Sequence, residues 1–389
     1  MTVELRPLGV KCNIKCKYCY QNPQREAGAV LHHYDIDAMK LGIKQAGGPF
    51  TLFGGEPLLV PKRDLEQIWA WGLEEFGRNA IQTNGALIDE QHIELFRRYN
   101  VKVGMSIDGP GSLNDIRWAG SLDKTRRATA RTESAIARLC ELGIPPSLIV
   151  TLHRENATAD KLETLTSWLN QLDLMGVSSV GLHLLEVESP DIRERFALSI
   201  EENIAALHHL VAIEHQLKTL KFPLFNTMRR LLSGDDRKAS CVWNGCDSYT
   251  TRAVQGVEGN GQRSNCGRTN KDGIDFTKGD LAGYERYLAL YLTPQAYGGC
   301  SGCRFFSMCK GQCPGTAIDL DWRNRTEYCN VWMSLFSYFE RELEQAGRWV
   351  LSQSTCRREV EAALTLAWRA GRSASLFECV RAHRPANTL

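Results

Sequence analysis

The chain contains 389 residues, of which 43% are apolar and 24% are charged, with 47 basic against 45 acidic side chains. This apolar fraction excludes a disordered or fibrous chain, and the length predicts two domains and an appendage. The balanced charge argues against a dedicated nucleic-acid-binding protein. No apolar run approaches the roughly 18 residues that a membrane span needs, and the first residues lack the apolar segment of a signal peptide. We therefore expect a cytoplasmic protein that binds neither nucleic acid nor membrane.

The first 190 residues alternate short apolar runs with amphipathic segments. The apolar runs predict strands over residues 4–10, 50–55, 80–85, 101–109, 147–153 and 180–187. The amphipathic segments predict helices over residues 36–45, 63–75, 89–99, 132–142 and 160–172. Successive β–α units indicate a parallel α/β sheet, open or curled toward a barrel. In such folds the loops at the carboxyl ends of the strands meet at one edge and form the functional site.

Composition divides the chain into four predicted segments. These are an α/β barrel-like domain over residues 1–190, a helical bridge over 191–235, a cysteine-rich domain over 236–330 and a helical tail over 331–389. The third segment is rich in Gly, Asn, Asp and Cys and shows weak periodicity. It buries little apolar surface, and we expect it to need metal in order to fold.

Cysteine is the unusual residue of this chain. Its 14 cysteines are about 3.6% of the residues, too few for a disulfide scaffold, which has about 8–10%. In a reducing compartment, clustered cysteines more often bind metal than form disulfides. Three of them, Cys12, Cys16 and Cys19, follow the first predicted strand. Three thiolates suit a four-iron cluster with one open iron, and the alternative is a zinc site completed by a distant His or Cys.

The N-terminal cysteines have the spacing C-x3-C-x2-C, with Tyr18 directly before the last of them. This motif resembles that of the radical SAM superfamily. The resemblance implies a partial (β/α)6 TIM-type barrel over residues 1–190, and a [4Fe-4S] cluster whose open iron chelates S-adenosylmethionine (SAM). It also implies that one electron, delivered by a flavodoxin or ferredoxin, cleaves SAM to a 5′-deoxyadenosyl radical.

The polar tips that follow the predicted strands agree with this resemblance. The tip Gly54-Gly55-Glu56-Pro57 resembles the motif that binds the methionine amino group, where the glycines allow close approach and Glu56 pairs with the ammonium. The other SAM contacts that the resemblance implies come from Tyr18 beside the adenine, from Asn84, from Ser106 and Asp108 at the ribose or carboxylate, and from either Arg117 or Arg131 at the carboxylate.

A second group of cysteines has the spacing C-x2-C-x5-C-x3-C, with a further cysteine after it and three before it. This pattern resembles the SPASM extension of radical SAM enzymes, and the resemblance implies two auxiliary [4Fe-4S] clusters. The ligands implied for the first cluster are Cys241, Cys246, Cys266 and Cys313. The ligands implied for the second cluster are Cys300, Cys303, Cys309 and Cys329. A pair of structural zinc sites is the alternative, and Cys140, Cys356 and Cys379 receive no role.

SPASM-bearing enzymes mostly modify peptides or proteins, so we expect hydrogen abstraction from a ribosomally synthesised peptide that leads to a crosslink, excision, epimerisation or oxidation. The alternatives are a formylglycine-type sulfatase-maturing enzyme, a small-molecule radical dehydrogenase and a non-catalytic iron–sulfur or zinc scaffold. Formylglycine-forming members carry Asp directly after the third auxiliary cysteine. Here Gly267 and Arg268 follow Cys266, and Asp247 is a shifted candidate. Because the chain reaches Cys12 at once, a leader peptide would need a separate binding protein.

Two candidates for acid–base chemistry, His183 and Glu186, lie on the last predicted barrel strand. Side chains alternate between the two faces of a strand, so this spacing predicts that the two point to opposite faces. At most one of them then points into the site.

Overall fold

The computed structural model describes residues 3–28, 30–246, 254–268 and 283–384. The chain divides into two compact units: Met1–Pro223 with Gln255–Thr277, and Leu224–Val254 with Lys278–Leu389. The helices of the predicted tail therefore belong to the same unit as most of the cysteine-rich segment, and the four segment boundaries stay predictions. Among the described residues, no helix has the length and apolar character to cross a bilayer.

One sheet organises the first unit, with the strand order β6-β5-β4-β3-β2-β1-β7-β8. Neighbouring strands pair in parallel, except for the antiparallel pair β7 and β8. The strands are β1 (Val3–Arg6), β2 (Phe50–Leu52), β3 (Asn79–Thr83), β4 (Val101–Ser106), β5 (Ser147–Leu152), β6 (Val180–Leu184), β7 (Gln255–Glu258) and β8 (Arg263–Ser264). The predicted parallel α/β sheet is confirmed, and it is open, with β6 and β8 as its two edges.

The strands end earlier than the sequence predicts, because the polar tips leave the ladder. β2 ends at Leu52, and Gly54 then adopts a φ of 119° that side-chain-bearing residues avoid. β7 and β8 were not predicted at all. β7 pairs with β1 from Val3 opposite Gln255, and its residues are all buried, so it lacks the alternation that marks a strand in a sequence.

The helices of the first unit lie between these strands. They are α1 (Asn22–Glu26), α2 (Ile36–Ala46), α3 (Lys62–Phe76), α4 (Glu90–Arg98), α5 (Leu122–Glu141), α6 (Arg154–Ala157), α7 (Leu162–Leu174), α8 (Pro190–Phe196) and α9 (Ile200–Glu214). α5 begins ten residues before its predicted start, and Ser121 caps it by accepting a hydrogen bond from the backbone of Lys124. Its buried stripe there is made of Thr125, Thr129 and Thr132, which hydrophobic periodicity does not detect.

The sheet has one apolar face and one more polar face. The fully buried strand residues include Leu5, Leu52, Ile81, Met105, Leu148 and Leu182. The half-buried residues that alternate with them include Glu4, Thr51, Gln82, Ser106, Thr151 and His183. Because α2, α3 and α4 pack on the sheet, the apolar set is the face that helices cover. The half-buried set forms the opposite face, which we call the open face.

The second unit is mostly helical. Its helices are α10 (Pro223–Leu232), α11 (Glu285–Leu292), α12 (Phe306–Cys309), α13 (Cys329–Gln345), α14 (Arg357–Arg369) and α15 (Leu376–His383). Aromatic side chains form much of its core: the rings of Phe305 and Phe336 stack with centroids 5.3 Å apart, and Tyr287 lies 5.4 Å from Trp368. The cysteine-rich loops of residues 300–313 are thus packed against helices that have a core of their own.

Candidate functional site

The three N-terminal cysteines lie on the loop that follows β1. Cys16 is buried, and Cys12 and Cys19 are half-buried. Burial raises the pKa of Cys12 to about 11 and that of Cys16 to about 12, and the neighbouring thiols of the trio contribute to both shifts. Such thiols ionise together only when a positive centre neutralises them. The donor set therefore fits the iron–sulfur cluster that the sequence predicts.

Arg25 on α1 places a cation beside this loop. Its guanidinium donates to the carbonyl of Val10 at 3.1 Å and to the side chain of Asn22 at 2.6 Å. Burial works against this charged group, yet the neighbouring thiols raise the pKa of Arg25. Arg25 was not predicted from the sequence, because an isolated Arg in a polar segment carries no distinguishing pattern.

The tip after β2 packs directly against the cysteine loop. The backbone N–H of Gly55 donates to the carbonyl of Gly9 at 3.0 Å, and that of Glu56 donates to the carbonyl of Lys11 at 2.8 Å. A Cβ atom on Gly55 would lie 2.1 Å from the same Lys11 oxygen. In this structure the glycine therefore allows two loops to approach, just before Cys12 begins the trio.

Glu56 joins the ends of two strands. Its carboxylate is buried, and Oε1 accepts hydrogen bonds from the hydroxyl of Thr83 at 2.6 Å and from the backbone of Leu58 at 3.0 Å. Oε2 accepts from the backbone of Asn84 at 2.8 Å. Burial raises the pKa of Glu56, and these hydrogen bonds oppose the rise. The side chain of Asn84 in turn donates to Asn13 in the cysteine loop at 2.7 Å, so both predicted SAM-contact residues adjoin the trio.

Asp108 is the centre of a buried polar cluster at the ends of β4 and β5. Oδ2 accepts a hydrogen bond from the hydroxyl of Tyr18 at 2.5 Å and lies 3.5 Å from Nε2 of His153 and 4.0 Å from Nη1 of Arg117. Oδ1 accepts from the backbone of Thr151 at 3.0 Å. Burial opposes ionisation, but these partners outweigh it and lower the pKa of Asp108. The carboxylate is therefore charged and fixed in place.

Arg117 and Arg131, the two alternatives for the contact with the SAM carboxylate, occupy different environments. Arg117 lies in the Asp108 cluster with 11% of its side chain exposed, and it donates to the hydroxyl oxygen of Tyr18 at 3.0 Å. Arg131 is exposed on α5. Arg117 is thus the one that adjoins Tyr18. Ser106, a further predicted contact, accepts a hydrogen bond from the side chain of Gln82 at 2.8 Å on the open face.

His183 and Glu186 converge on one guanidinium. Nη2 of Arg268 donates to Nδ1 of His183 at 2.8 Å, and Nε lies 2.7 Å from Oε1 of Glu186. The expectation that the two residues point to opposite faces is therefore wrong. β6 ends at Leu184, so strand alternation no longer governs the direction of Glu186. Burial and the charge of Arg268 lower the pKa of His183 to about 3.

The segment that follows Cys266 also lies against the N-terminal loop. An ideal Cβ on Gly267 would be 3.2 Å from the ring of Tyr20 and 3.2 Å from the guanidinium of Arg6. Burial raises the pKa of Tyr20 well above its ordinary value, and Glu4 and Cys266 add to that shift. Asp247, the shifted candidate for a catalytic carboxylate, lies outside the described residues.

Four cysteines of the second unit line one enclosed cavity. These residues, Cys300, Cys303, Cys309 and Cys329, are the ligands predicted for the second auxiliary cluster. Burial raises the pKa of Cys300 to about 12 and also raises the pKa of the other three thiols. As in the N-terminal loop, such a set needs a positive centre to become thiolates. Four thiols around one cavity fit a fully ligated four-iron cluster.

The ligands predicted for the first auxiliary cluster are divided between the units. Cys266 belongs to the first unit, and Cys241, Cys246 and Cys313 belong to the second. This ligand set stays a prediction. In the part of the chain that the structure describes, no three His, Cys, Asp or Glu side chains are grouped to hold a single metal ion.

Comparison with known proteins agrees with this geometry. Residues 7–166 match the family model described as the radical SAM superfamily. A serine-type anaerobic sulfatase-maturating enzyme of Bacteroides thetaiotaomicron is 33% identical over 126 residues, which are 29% of this chain and 30% of that protein. The chain spans 30% and 50% of the lengths of the first two curated relatives that it matches.

Solved structures share the fold over most of the chain. The structure of anSMEcpe with bound AdoMet and the Kp18Cys peptide has a TM-score of 0.67 at 17% identity, over 89% of this chain and 98% of that one. Streptococcus suis SuiB bound to its precursor peptide SuiA has a TM-score of 0.57 at 16% identity, over 84% and 75%. The cysteine trio and the strand-end cluster both lie within residues 7–166, the part of the chain that matches the radical SAM superfamily model.

Proposed function

We propose that this chain is an enzyme that cleaves SAM reductively and abstracts a hydrogen atom from a ribosomally synthesised peptide. The observation that carries the proposal is the convergence of the cysteine trio with Glu56, Asn84 and the Asp108 cluster at the carboxyl ends of the strands. When bound, the [4Fe-4S] cluster and SAM supply the electron and the 5′-deoxyadenosyl radical. The product is a crosslink, an excision, an epimerisation or an oxidation.

The roles of the chain's own residues follow from their contacts. Cys12, Cys16 and Cys19 would hold the cluster. Glu56 is a fixed buried carboxylate and suits the ammonium of methionine, while Arg117 suits its carboxylate. The remaining predicted SAM contacts are Tyr18, Gly54, Gly55, Pro57, Asn84, Ser106 and Asp108.

The low pKa of His183 changes its proposed role. A histidine whose Nδ1 accepts a hydrogen bond from Arg268 and whose pKa is about 3 stays neutral near pH 7, with its proton on Nε2. His183 then donates a hydrogen bond rather than accepting a proton. Glu186 is held by the same guanidinium. We assign both residues to the positioning of a substrate on the open face.

A peptide substrate is supported by the fold and by what the solved structures that share it bind. Both solved structures named above contain a bound peptide, and both share the fold of this chain over at least 84% of its length. The proposal includes two auxiliary clusters that carry electrons, a flavodoxin or ferredoxin as electron donor, a separate leader-binding protein for a leader-bearing substrate, and a cytoplasmic location.

Formylglycine formation on a sulfatase is the second candidate, because the first curated relatives are named as anaerobic sulfatase-maturating enzymes. The residues after Cys266 argue against it. The position of the proton acceptor holds Gly267, and the next residue is a cation that is already bound to His183 and Glu186. A peptide modification that needs no carboxylate at this position is the better match.

The test is iron and sulfide content after anaerobic reconstitution, together with 5′-deoxyadenosine release from SAM in the presence of dithionite. Three four-iron clusters predict about 12 iron per chain, falling to about 8 in the Cys12→Ala/Cys16→Ala/Cys19→Ala variant, which should release no 5′-deoxyadenosine. A Cys140→Ala/Cys379→Ala variant is the matched control, because neither residue has an assigned role. Stoichiometric zinc, or equal iron in all three proteins, would contradict the proposal.

A further inference from the structure

Arg325 is the cation that lines the cavity of the four cysteines in the second unit. One end of its guanidinium is fixed to the backbone, because Nη1 donates to the carbonyl of Gln295 at 2.6 Å and to that of Gly299 at 2.7 Å. These two carbonyls hold the side chain against the loop that precedes Cys300. The orientation of the guanidinium is therefore set by the protein.

The guanidinium shares this cavity with four cysteines. Burial raises the pKa of Cys329, and the positive charge of Arg325 opposes that rise. Its Nε is buried and has no hydrogen-bond partner among the residues that the structure describes. Buried N–H groups in proteins are almost always paired, so this donor points to an acceptor other than the protein's own oxygen and nitrogen atoms.

Two other buried cations near these cysteines are used differently. Arg286 donates to the backbone carbonyls of Trp322, Gln312 and Asn324, at 2.6 to 3.1 Å. Lys310 donates from Nζ to the carbonyl of Trp243 at 2.9 Å. Both therefore hold loops together, whereas Arg325 presents a donor without a protein partner to the cavity.

We infer that Arg325 donates its Nε–H to a sulfur atom of the iron–sulfur cluster held by Cys300, Cys303, Cys309 and Cys329, and thereby raises the reduction potential of that cluster. The inference rests on the proposed function, since it requires a cluster at these four residues. Reduction adds one negative charge to the cluster. A fixed cation and a hydrogen bond to sulfur stabilise the reduced form more than the oxidised form. Arg325 is thus a positioning residue that favours electron uptake at this cluster.

The experiment is a redox titration followed by electron paramagnetic resonance, in the full-length Cys12→Ala/Cys16→Ala/Cys19→Ala background that retains the auxiliary clusters. Arg325→Gln should shift one midpoint potential to more negative values at unchanged iron content. Arg325→Lys keeps the charge but loses the Nε donor, and it should give a smaller negative shift. Arg323→Gln is the matched control, because Arg323 lies two residues away, is largely exposed and pairs with Asp321. It should leave both potentials unchanged.

Each outcome decides the inference. Unchanged potentials in Arg325→Gln, or equal shifts in Arg325→Gln and Arg323→Gln, would overturn it. If Arg325→Gln loses iron, the measurement passes to Arg325→Lys, and an unchanged potential in that variant would overturn the inference. Iron content that is insensitive to Cys300→Ala/Cys303→Ala would overturn it together with the second auxiliary cluster. Failure of the N-terminal trio to bind iron would instead contradict the proposed SAM chemistry and would not contradict the inference about Arg325.

Discussion

Arg268 ties His183 to Glu186 through a single guanidinium, with contacts of 2.8 Å and 2.7 Å. Arg268 follows β8, and His183 lies on β6, so the side chain joins the two edges of an open sheet. Only 28% of the Arg268 side chain and 4% of the Glu186 side chain are exposed. His183 on the open face and Glu186 just after β6 are therefore held by a residue that lies two positions after a predicted cluster ligand.

We expect His183 to remain neutral from pH 8 to pH 5, because its pKa lies near 3. Arg268→Gln removes one of the two causes of that low pKa, leaves burial in place, and should raise the pKa toward the ordinary value. Long-range proton–nitrogen NMR spectra of histidine-labelled protein would measure it. The control is Arg127→Gln, which removes an exposed arginine paired with Asp123 and should leave His183 unchanged. Titration of His183 near pH 6.5 in the unaltered protein would contradict the prediction.

The low pKa of His183 also determines the direction in which the stability of the protein changes with pH. The unfolded chain binds a proton at His183 near pH 6.5, whereas the folded chain resists it until about pH 3. The unfolded state therefore binds more protons in this window. The stability contributed by a neutral His183 is complete above pH 6.5 and is lost as the pH falls toward 3. His183→Gln should reduce this loss, measured as the difference between urea midpoints at pH 7 and pH 5.

Sequence patterns predicted the parts of the fold that depend on local periodicity. The six parallel strands were predicted correctly because apolar residues recur along them. The start of α5 was not predicted, because threonines form its buried stripe. The candidate cysteine ligands could be proposed because their spacing is itself the chemical signal. The roles of Arg268 and Arg325 could not be predicted, since they depend on contacts between residues as far apart as 85 positions. No spacing rule connects such residues before the chain folds.

Gly55→Ala should displace the cysteine loop. The added Cβ would lie 2.1 Å from the carbonyl oxygen of Lys11, which is backbone and has no rotamer to relieve the clash. Overpacking of this kind costs about 1–3 kcal/mol, and here it also moves Cys12. We expect a loss of about 4 iron per chain, one four-iron cluster. Gly181→Ala on β6 is the control, because its nearest contact would be an ordinary 3.6 Å. Equal iron content in the two variants would contradict the role of Gly55.

Asp108→Asn should destabilise the first unit far more than a surface substitution of the same kind. It leaves Arg117, whose side chain is only 11% exposed, without its carboxylate, and breaking a buried charge pair costs about 3–5 kcal/mol. The control is Asp115→Asn, whose partner Arg126 is 54% exposed, so the loss there should be at most about 1 kcal/mol. Urea unfolding followed by tryptophan fluorescence would compare them. Similar midpoints for the two variants would show that the Asp108 cluster contributes little to stability.

Glu56→Gln tests whether the buried carboxylate is needed for its charge or only for its shape. The substitution keeps the size of the side chain. In the unaltered protein the backbone N–H of Asn84 donates to Oε2 of Glu56 at 2.8 Å, and an amide nitrogen at the position of Oε2 would face that N–H group. A buried donor left without an acceptor costs about 1–3 kcal/mol. If the carboxylate also pairs with the methionine ammonium, the affinity for SAM should fall at least tenfold, measured by equilibrium dialysis with the reconstituted protein. Glu66→Gln is the matched control, because Glu66 lies on the surface and pairs with Arg98. A Glu56→Gln protein that is destabilised but binds SAM normally would limit Glu56 to joining β2 and β3.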